Sequence, residues 1–311
     1  MNGFHSFSSA AFFAKNPGKK LTMSLPDIYC TVISALQWRK NGNSITMLTD
    51  SAGAELFSAL GINDIWNDIK VVIPDDLDGI DPVMFWAGGK LIALQQFPAP
   101  CAMIDTDFIV WEDPPFEDKI IAAHEEDLMP SVYPDVSSFR LKGKVLDEGL
   151  DYTTLPLNTA FLYIPDEDFK QYYTSRSIAF MKSAVYGGDY LTYMVFAEQR
   201  LLPMLAKRCG IEYTTLLDKD RLFLPQNKFT HLWGAKQKMR DDKAQLDKFC
   251  ERCRERIRKS YPEYEYIIGN IEEQKISCIL RASAVYSFYH LSLYPIIFIS
   301  LMSVYPYALI G

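Results

Sequence analysis

Cysteine and histidine are scarce in this chain, with six and four copies in 311 residues. The cysteines are irregularly spaced apart from Cys250-Glu-Arg-Cys253, which excludes a disulfide-stapled scaffold and fits a reducing compartment. That pair falls with Leu246, Phe249 and Ile257 on one helical stripe, so its thiols are expected to pack as small hydrophobes rather than to hold zinc. Surplus positive charge is lacking too. With 32 Lys and Arg against 39 Asp and Glu the net charge is -7, which excludes the broad basic face of a nucleic-acid binder. There is no GxxxxGK[ST] phosphate loop, no internal repeat and no low-complexity tract. The first residues, Met-Asn-Gly-Phe-His, carry no basic segment followed by a long apolar one, so no secretory signal is expected and the cytoplasm is the expected location.

What the chain does have is an alternation of short apolar runs with longer helical patterns, the mark of a mostly parallel, doubly wound α/β sheet flanked by helices. Strands are expected at Phe4 to Ser8, Ser44 to Leu48, Ile69 to Ile73, Cys101 to Ile104, Phe108 to Trp111 and Phe161 to Pro165. Helices are expected from an Asp27 cap to about Asn41, then at Ala52 to Leu60, Pro82 to Gln96, Phe169 to Tyr186, Tyr193 to Cys209 and Gln237 to Tyr261. Residues 112 to 152 are acidic and irregular, as expected of loops over a site. The division expected is a catalytic domain over 1–240, a charged amphipathic helical extension over 241–281 and an apolar tail over 282–311. That tail has no formally charged residue, and Leu291 to Gly311, which includes the run Pro295 to Val304, is long enough for a membrane-associated segment at the cytoplasmic face. Pro295, Pro306 and the many Tyr and Ser residues fit equally a terminal hairpin or helix buried on the domain.

Asp105-Thr106-Asp107 carries the chemistry. Residues two apart in an extended chain face one side, so at a strand end both carboxylates can meet one hard cation, Mn2+ or Mg2+, whose open positions are filled by phosphate oxygens. Open α/β sheets bind ligands at such carboxyl ends. Downstream, Phe229-Thr-His231-Leu-Trp-Gly234-Ala-Lys236 offers an imidazole for the metal, a glycine that admits a phosphate to the backbone, and a lysine to neutralise it. Ser8 and Asp50 follow early strands, where a nucleoside could be met or a turn simply capped.

In this order the motifs resemble those of the GT-A glycosyltransferases, particularly the glycogenin and lipopolysaccharide-galactosyltransferase type and related bacterial capsule enzymes. The resemblance runs from Phe4 to Lys236: a helical Lys90 before the Asp-x-Asp, Asn158-Thr159-Ala160 at a later strand, the pair Glu198-Gln199 on a helix, and His231-Leu-Trp-Gly234. It departs from the family at Lys236, one residue early for the last motif. It implies a GT-A-like fold and transfer of a sugar from a nucleotide-sugar donor, most simply a UDP-sugar, to a glycan or lipid-linked acceptor. Asp105, Asp107 and His231 would hold the metal against the diphosphate. Lys90, Thr106, Gly234, Lys236, Ser8 and Asp50 would contact the donor, and Asn158, Asp189, Glu198 and Gln199 the sugar and acceptor. The same motif order implies retention of configuration, whereas inversion would need a base such as Asp189 or Glu198. Two other readings use the same residues: a metal-dependent phosphohydrolase or nucleotidyltransferase, and a non-catalytic sugar-binding α/β module.

Overall fold

A computed structural model of the chain describes residues 1–147, 149–185, 190–222, 224–232 and 241–273. Asp189, Gly234, Lys236 and the apolar tail lie outside the described residues. The first half alternates as the apolar runs require: β1 (Asn2–Phe7), α1 (Ala10–Lys15), α2 (Leu25–Lys40), β2 (Ser44–Thr49), α3 (Ser51–Leu60), β3 (Asp68–Val71), α4 (Gly88–Gln96) and β4 (Cys101–Ile104). Then follow β5 (Phe108–Val110), β6 (Ile120–Glu125), β7 (Leu157–Ile164), α5 (Glu167–Ser183), α6 (Tyr190–Val195), α7 (Leu201–Cys209), β8 (Tyr213–Thr215), β9 (Phe229–His231) and α8 (Lys243–Ser260).

The main sheet has the order β3-β2-β1-β4-β7-β6-β8, and only β7 runs against its neighbours. It is therefore a mostly parallel sheet, and both faces are covered. Along β4, Cys101 and Met103 enter the core under α4, α5 and α7, while Ala102 and Ile104 enter the core under α2, α3 and α8. The two-residue period of a strand thus reads as an unbroken apolar run when both faces are buried. A second, two-stranded sheet pairs β5 with β9, antiparallel, at the end of the main sheet where β4 stops. Trp111 fastens it by donating from Nε1 to Thr230 Oγ1 at 2.8 Å, and Arg256 of α8 lies over the Trp111 ring at 5.0 Å. The stripe on α8 is inside: Cys250, Cys253 and Ile257 are buried in the core that α2 also lines, and neither thiol is in a disulfide.

Several boundaries differ from expectation for local reasons. The cap of α2 is Ser24, whose Oγ accepts from the Asp27 amide at 3.4 Å, so Asp27 sits inside the first turn. The helix expected from Pro82 begins only at Gly88, because Asp81 accepts from the amides of Val83 and Met84 and holds that stretch in turns. Within the stretch read as irregular, Ile120–Glu125 forms an interior strand between β7 and β8. The single helix expected from Tyr193 is interrupted by a π turn at Phe196–Arg200. Pro203 gives the reason: it has no N–H for the carbonyl of Gln199, four residues back, and its ring crowds that carbonyl.

Candidate functional site

Asp105 leaves the end of β4 tied to the neighbouring strand, its amide donating to the Ala160 carbonyl at 2.8 Å. The Phe108 amide returns to the Asp105 carbonyl at 2.9 Å, which closes Asp105-Thr106-Asp107 into a tight, half-buried turn. In the second sheet Phe108 stands opposite His231, and the Leu232 amide donates to the Asp107 carbonyl at 3.3 Å. His231 is thereby set beside the aspartate turn, and it lines a cleft of about 470 Å3 together with Asp105.

Lys90, from the first turn of α4, forms the electrostatic centre of that cleft. Its buried Nζ donates to Asp105 Oδ1 at 2.6 Å, to Glu198 Oε1 at 2.6 Å and to the Thr159 carbonyl at 3.0 Å. All three ammonium hydrogens are thus placed. Thr159 Oγ1 also donates to Glu198 Oε1 at 2.6 Å, so the Glu198 carboxylate is held on the cleft floor by two partners. Burial works against the Lys90 charge, but the carboxylates of Asp105 and Glu198 outweigh it and hold the ammonium above its ordinary pKa. Asp105 moves the other way from a simple ion pair. Burial, reinforced by the negative charges of Glu198 and Asp107, pushes its carboxyl up to about 7 against the pull of Lys90. The described lining includes Asp105, Glu126 and Glu198 against Lys90 as its one lysine or arginine, so the cleft carries surplus negative charge.

Approach of α4 to this place depends on a glycine. A Cβ on Gly89 would meet the Ser8 Cβ at 2.8 Å, so only glycine lets the helix come close enough to the β1 end to deliver Lys90.

A second polar set shares the cleft. Asn158 Nδ2 donates to Glu126 Oε1 at 2.9 Å, and the Tyr133 hydroxyl lies 2.6 Å from Glu126 Oε2 and 2.7 Å from Gln199 Oε1. The π turn lets consecutive residues serve both sets, Glu198 on Lys90 and Gln199 on Tyr133. Behind them the buried Arg200 donates to the Tyr152 carbonyl at 2.6 Å and to that of Tyr133 at 3.4 Å, pinning the loop that carries Tyr133.

Of the residues singled out in the sequence, Lys90, Asp105, Asn158, Glu198, Gln199 and His231 meet in one cleft. Asp107 and Thr106 complete the adjoining turn. Of the two roles open to Asp50 in the sequence, a nucleoside contact or a turn cap, the structure shows the cap. Asp50 is fully buried as the cap of α3, with Oδ1 accepting from the Gly53 amide at 2.8 Å and Oδ2 from Ser9 Oγ at 3.0 Å and Ser8 Oγ at 3.2 Å. The Ser8 hydroxyl is likewise engaged by this cap. Glu126, Tyr133 and Trp86 were not singled out, since Glu126 and Tyr133 fall in the stretch read as irregular and Trp86 in one read as plain helix. Among the described residues no three or more His, Cys, Asp or Glu side chains are gathered as a metal cluster. No helix among them is long and apolar enough to cross a membrane.

A family model described as "Family of unknown function (DUF6734)" matches residues 26–271. No curated protein matches the chain. Among solved structures, the inositol-1-phosphate CTP transferase from T. maritima is similar over 70% of this chain and 84% of that one, at 15% identity and a TM-score of 0.33. An overlap that loose leaves the chemistry to be argued from the cleft itself.

Proposed function

We propose that this chain, which belongs to the DUF6734 family through residues 26–271, is a metal-dependent glycosyltransferase with a GT-A-like fold. It would move a sugar from a nucleotide-sugar donor, most simply a UDP-sugar, to a glycan or lipid-linked acceptor. One observation carries the reading: β5 pairs with β9 so that His231 stands beside the Asp105-Thr106-Asp107 turn and shares its cleft. That is the convergence which the motif order requires of two stretches far apart in sequence.

The residues available to a cation are Asp105, Asp107 and His231; among the described residues they are not gathered as a ready metal cluster, so an ion there would be held with phosphate oxygens completing its coordination, as suits Mn2+ or Mg2+. Such an ion, when bound, stabilises the negative charge of the departing nucleoside diphosphate. The chain's own groups do the rest. Lys90 fixes the Asp105 carboxylate and adds positive potential under the diphosphate, while Glu198 anchors Lys90 rather than meeting a substrate. Asn158 and Gln199 line the cleft where the sugar and acceptor would lie, Asn158 bonded to Glu126 and Gln199 to Tyr133.

Thermal denaturation with UDP, GDP and CMP, each with and without Mn2+, tests the reading. At least one nucleotide should raise the melting temperature by several degrees only when the metal is present, and Asp105→Ala should abolish that rise. No metal-dependent rise with any of the three, or one that survives Asp105→Ala, overturns it. A screen of nucleotide sugars for nucleotide release then identifies the donor, and release of free phosphate or pyrophosphate in its place would mark phosphoryl chemistry instead.

A further inference from the structure

The Glu126 end of the cleft has a composition that the donor and metal do not explain. Tyr133 has one hydroxyl proton but two acceptors in range, Glu126 Oε2 at 2.6 Å and Gln199 Oε1 at 2.7 Å. The conflict vanishes if the Gln199 amide is turned by 180°, so that its Nε2 donates to the phenol oxygen and the phenol donates to Glu126. Asn158 has no such freedom. Its Oδ1 accepts from the Ala160 amide at 3.1 Å, which obliges Nδ2 to face Glu126 Oε1 at 2.9 Å. Each oxygen of Glu126 therefore receives one donor from a fixed direction, and its remaining lone pairs are left for a hydroxyl in the cleft.

Around this carboxylate the rim is apolar and open. Eight large hydrophobic side chains among the described residues are exposed, and three of them, Trp86, Met129 and Leu191, line this one cleft. Trp86, 39% exposed, in the same cleft as an oriented carboxylate is an arrangement with a use. A purely apolar ligand would bury the remaining lone pairs of Glu126 unsatisfied, and an anion would be repelled by its charge. A neutral ring with C–H groups on one face and hydroxyls on its edge satisfies both surfaces.

We propose that this part of the cleft is a subsite for a neutral sugar residue of the acceptor, with Trp86, Met129 and Leu191 against its C–H face and Glu126 accepting from one of its hydroxyls. Tyr133 and Asn158 are positioning residues that act through Glu126. The assignment to the acceptor rests on the glycosyltransferase reading, whereas the binding of a sugar ring does not.

Saturation-transfer NMR on the full chain, with the methyl glycosides of glucose, galactose, mannose and N-acetylglucosamine and no nucleotide present, tests the subsite. At least one glycoside should receive saturation on its ring C–H protons. Trp86→Ala and Glu126→Gln should each weaken its binding at least about tenfold, and Tyr133→Phe by a smaller factor. Silence from all four glycosides, binding unchanged in both Trp86→Ala and Glu126→Gln, or uridine replacing the glycoside on Trp86 would overturn the subsite. Metal-dependent UDP stabilisation without glycoside binding sinks this inference alone, and glycoside binding without any nucleotide response sinks the donor reading alone.

Discussion

Lys90 bridges two carboxylates that would otherwise stand in the cleft without a counter-charge. Its side chain and that of Glu198 are each 8% exposed, so solvent cannot replace either partner. Lys90→Met should therefore cost about 3–5 kcal/mol, because Glu198 is left as a buried, uncompensated charge; urea unfolding measures it, and a loss below about 1 kcal/mol would contradict the buried-pair account. Asp105 supplies a second prediction at this scale. Its carboxyl is pushed up to about 7, so at neutral pH much of it is protonated and unfit for a metal. Mn2+-dependent stabilisation by nucleotide should then rise as pH increases through about 7. Glu198 is among the causes of the upward shift, so Glu198→Gln should move that rise to lower pH. A pH profile identical in the wild type and Glu198→Gln would show that the two carboxylates do not interact.

At the scale of elements, the start of α4 decides whether Lys90 arrives. Its first two residues, Gly88 and Gly89, look alike in sequence and differ in surroundings. A Cβ at Gly88 would meet Met181 Sδ and Phe85 Cβ at 3.5 Å, ordinary contact, whereas at Gly89 it would meet Ser8 Cβ at 2.8 Å. Gly88→Ala should stabilise by up to about 1 kcal/mol through helix propensity. Gly89→Ala should destabilise by about 1–3 kcal/mol, since neither Cβ is the end of a flexible chain. Melting temperatures of the two variants should move in opposite directions. The same element shows where sequence reading stops. The strands β1, β2 and β4 were legible as apolar runs, and Asp105, Lys90 and His231 as motifs in order. β6 was not, because Ala122 and Ala123 weaken its strand character and its neighbours are acidic and proline-rich. Glu126 follows β6 directly, so missing that strand also hid half of the cleft. Pro203 was visible, yet its consequence, a π turn that sends Glu198 and Gln199 to different partners, depends on packing that no local pattern encodes.

For the whole molecule, two buried groups oppose one another as the pH falls. His5 is fully buried among β1, α2, β5 and Trp66. Trp66 Nε1 donates to His5 Nδ1 at 3.1 Å, so the ring proton is on Nε2 and is given to Ser34 Oγ at 3.0 Å, which donates in turn to the Phe108 carbonyl at 2.5 Å. Charging the ring would require a proton on Nδ1 and the loss of the Trp66 bond, and burial lowers its pKa from 6.5 to about 3. Between those values the unfolded chain binds the extra proton, so His5 removes stability as pH falls from 6.5. Asp105 has the opposite sign. With a folded pKa near 7 against an ordinary 3.8, it is the folded chain that holds the extra proton in that window, and acidification from 7 to about 4 adds stability. The two effects offset each other from about 6.5 to 4, and below 4 only the loss through His5 remains. Asp105→Asn deletes the compensation. Relative to wild type, its unfolding free energy should fall progressively from pH 6.5 to 4, by at most about 1.4 kcal/mol per pH unit. The slope will be shallower than that limit, because 33% of the Asp105 side chain still faces solvent. Urea unfolding of both proteins at pH 7, 5.5 and 4 measures the difference, with carboxylates remote from the cleft contributing alike to the two chains. Parallel stability curves for wild type and Asp105→Asn would mean that Asp105 titrates in the folded chain as it does in water, and the surplus negative charge of the cleft would have to be neutralised elsewhere.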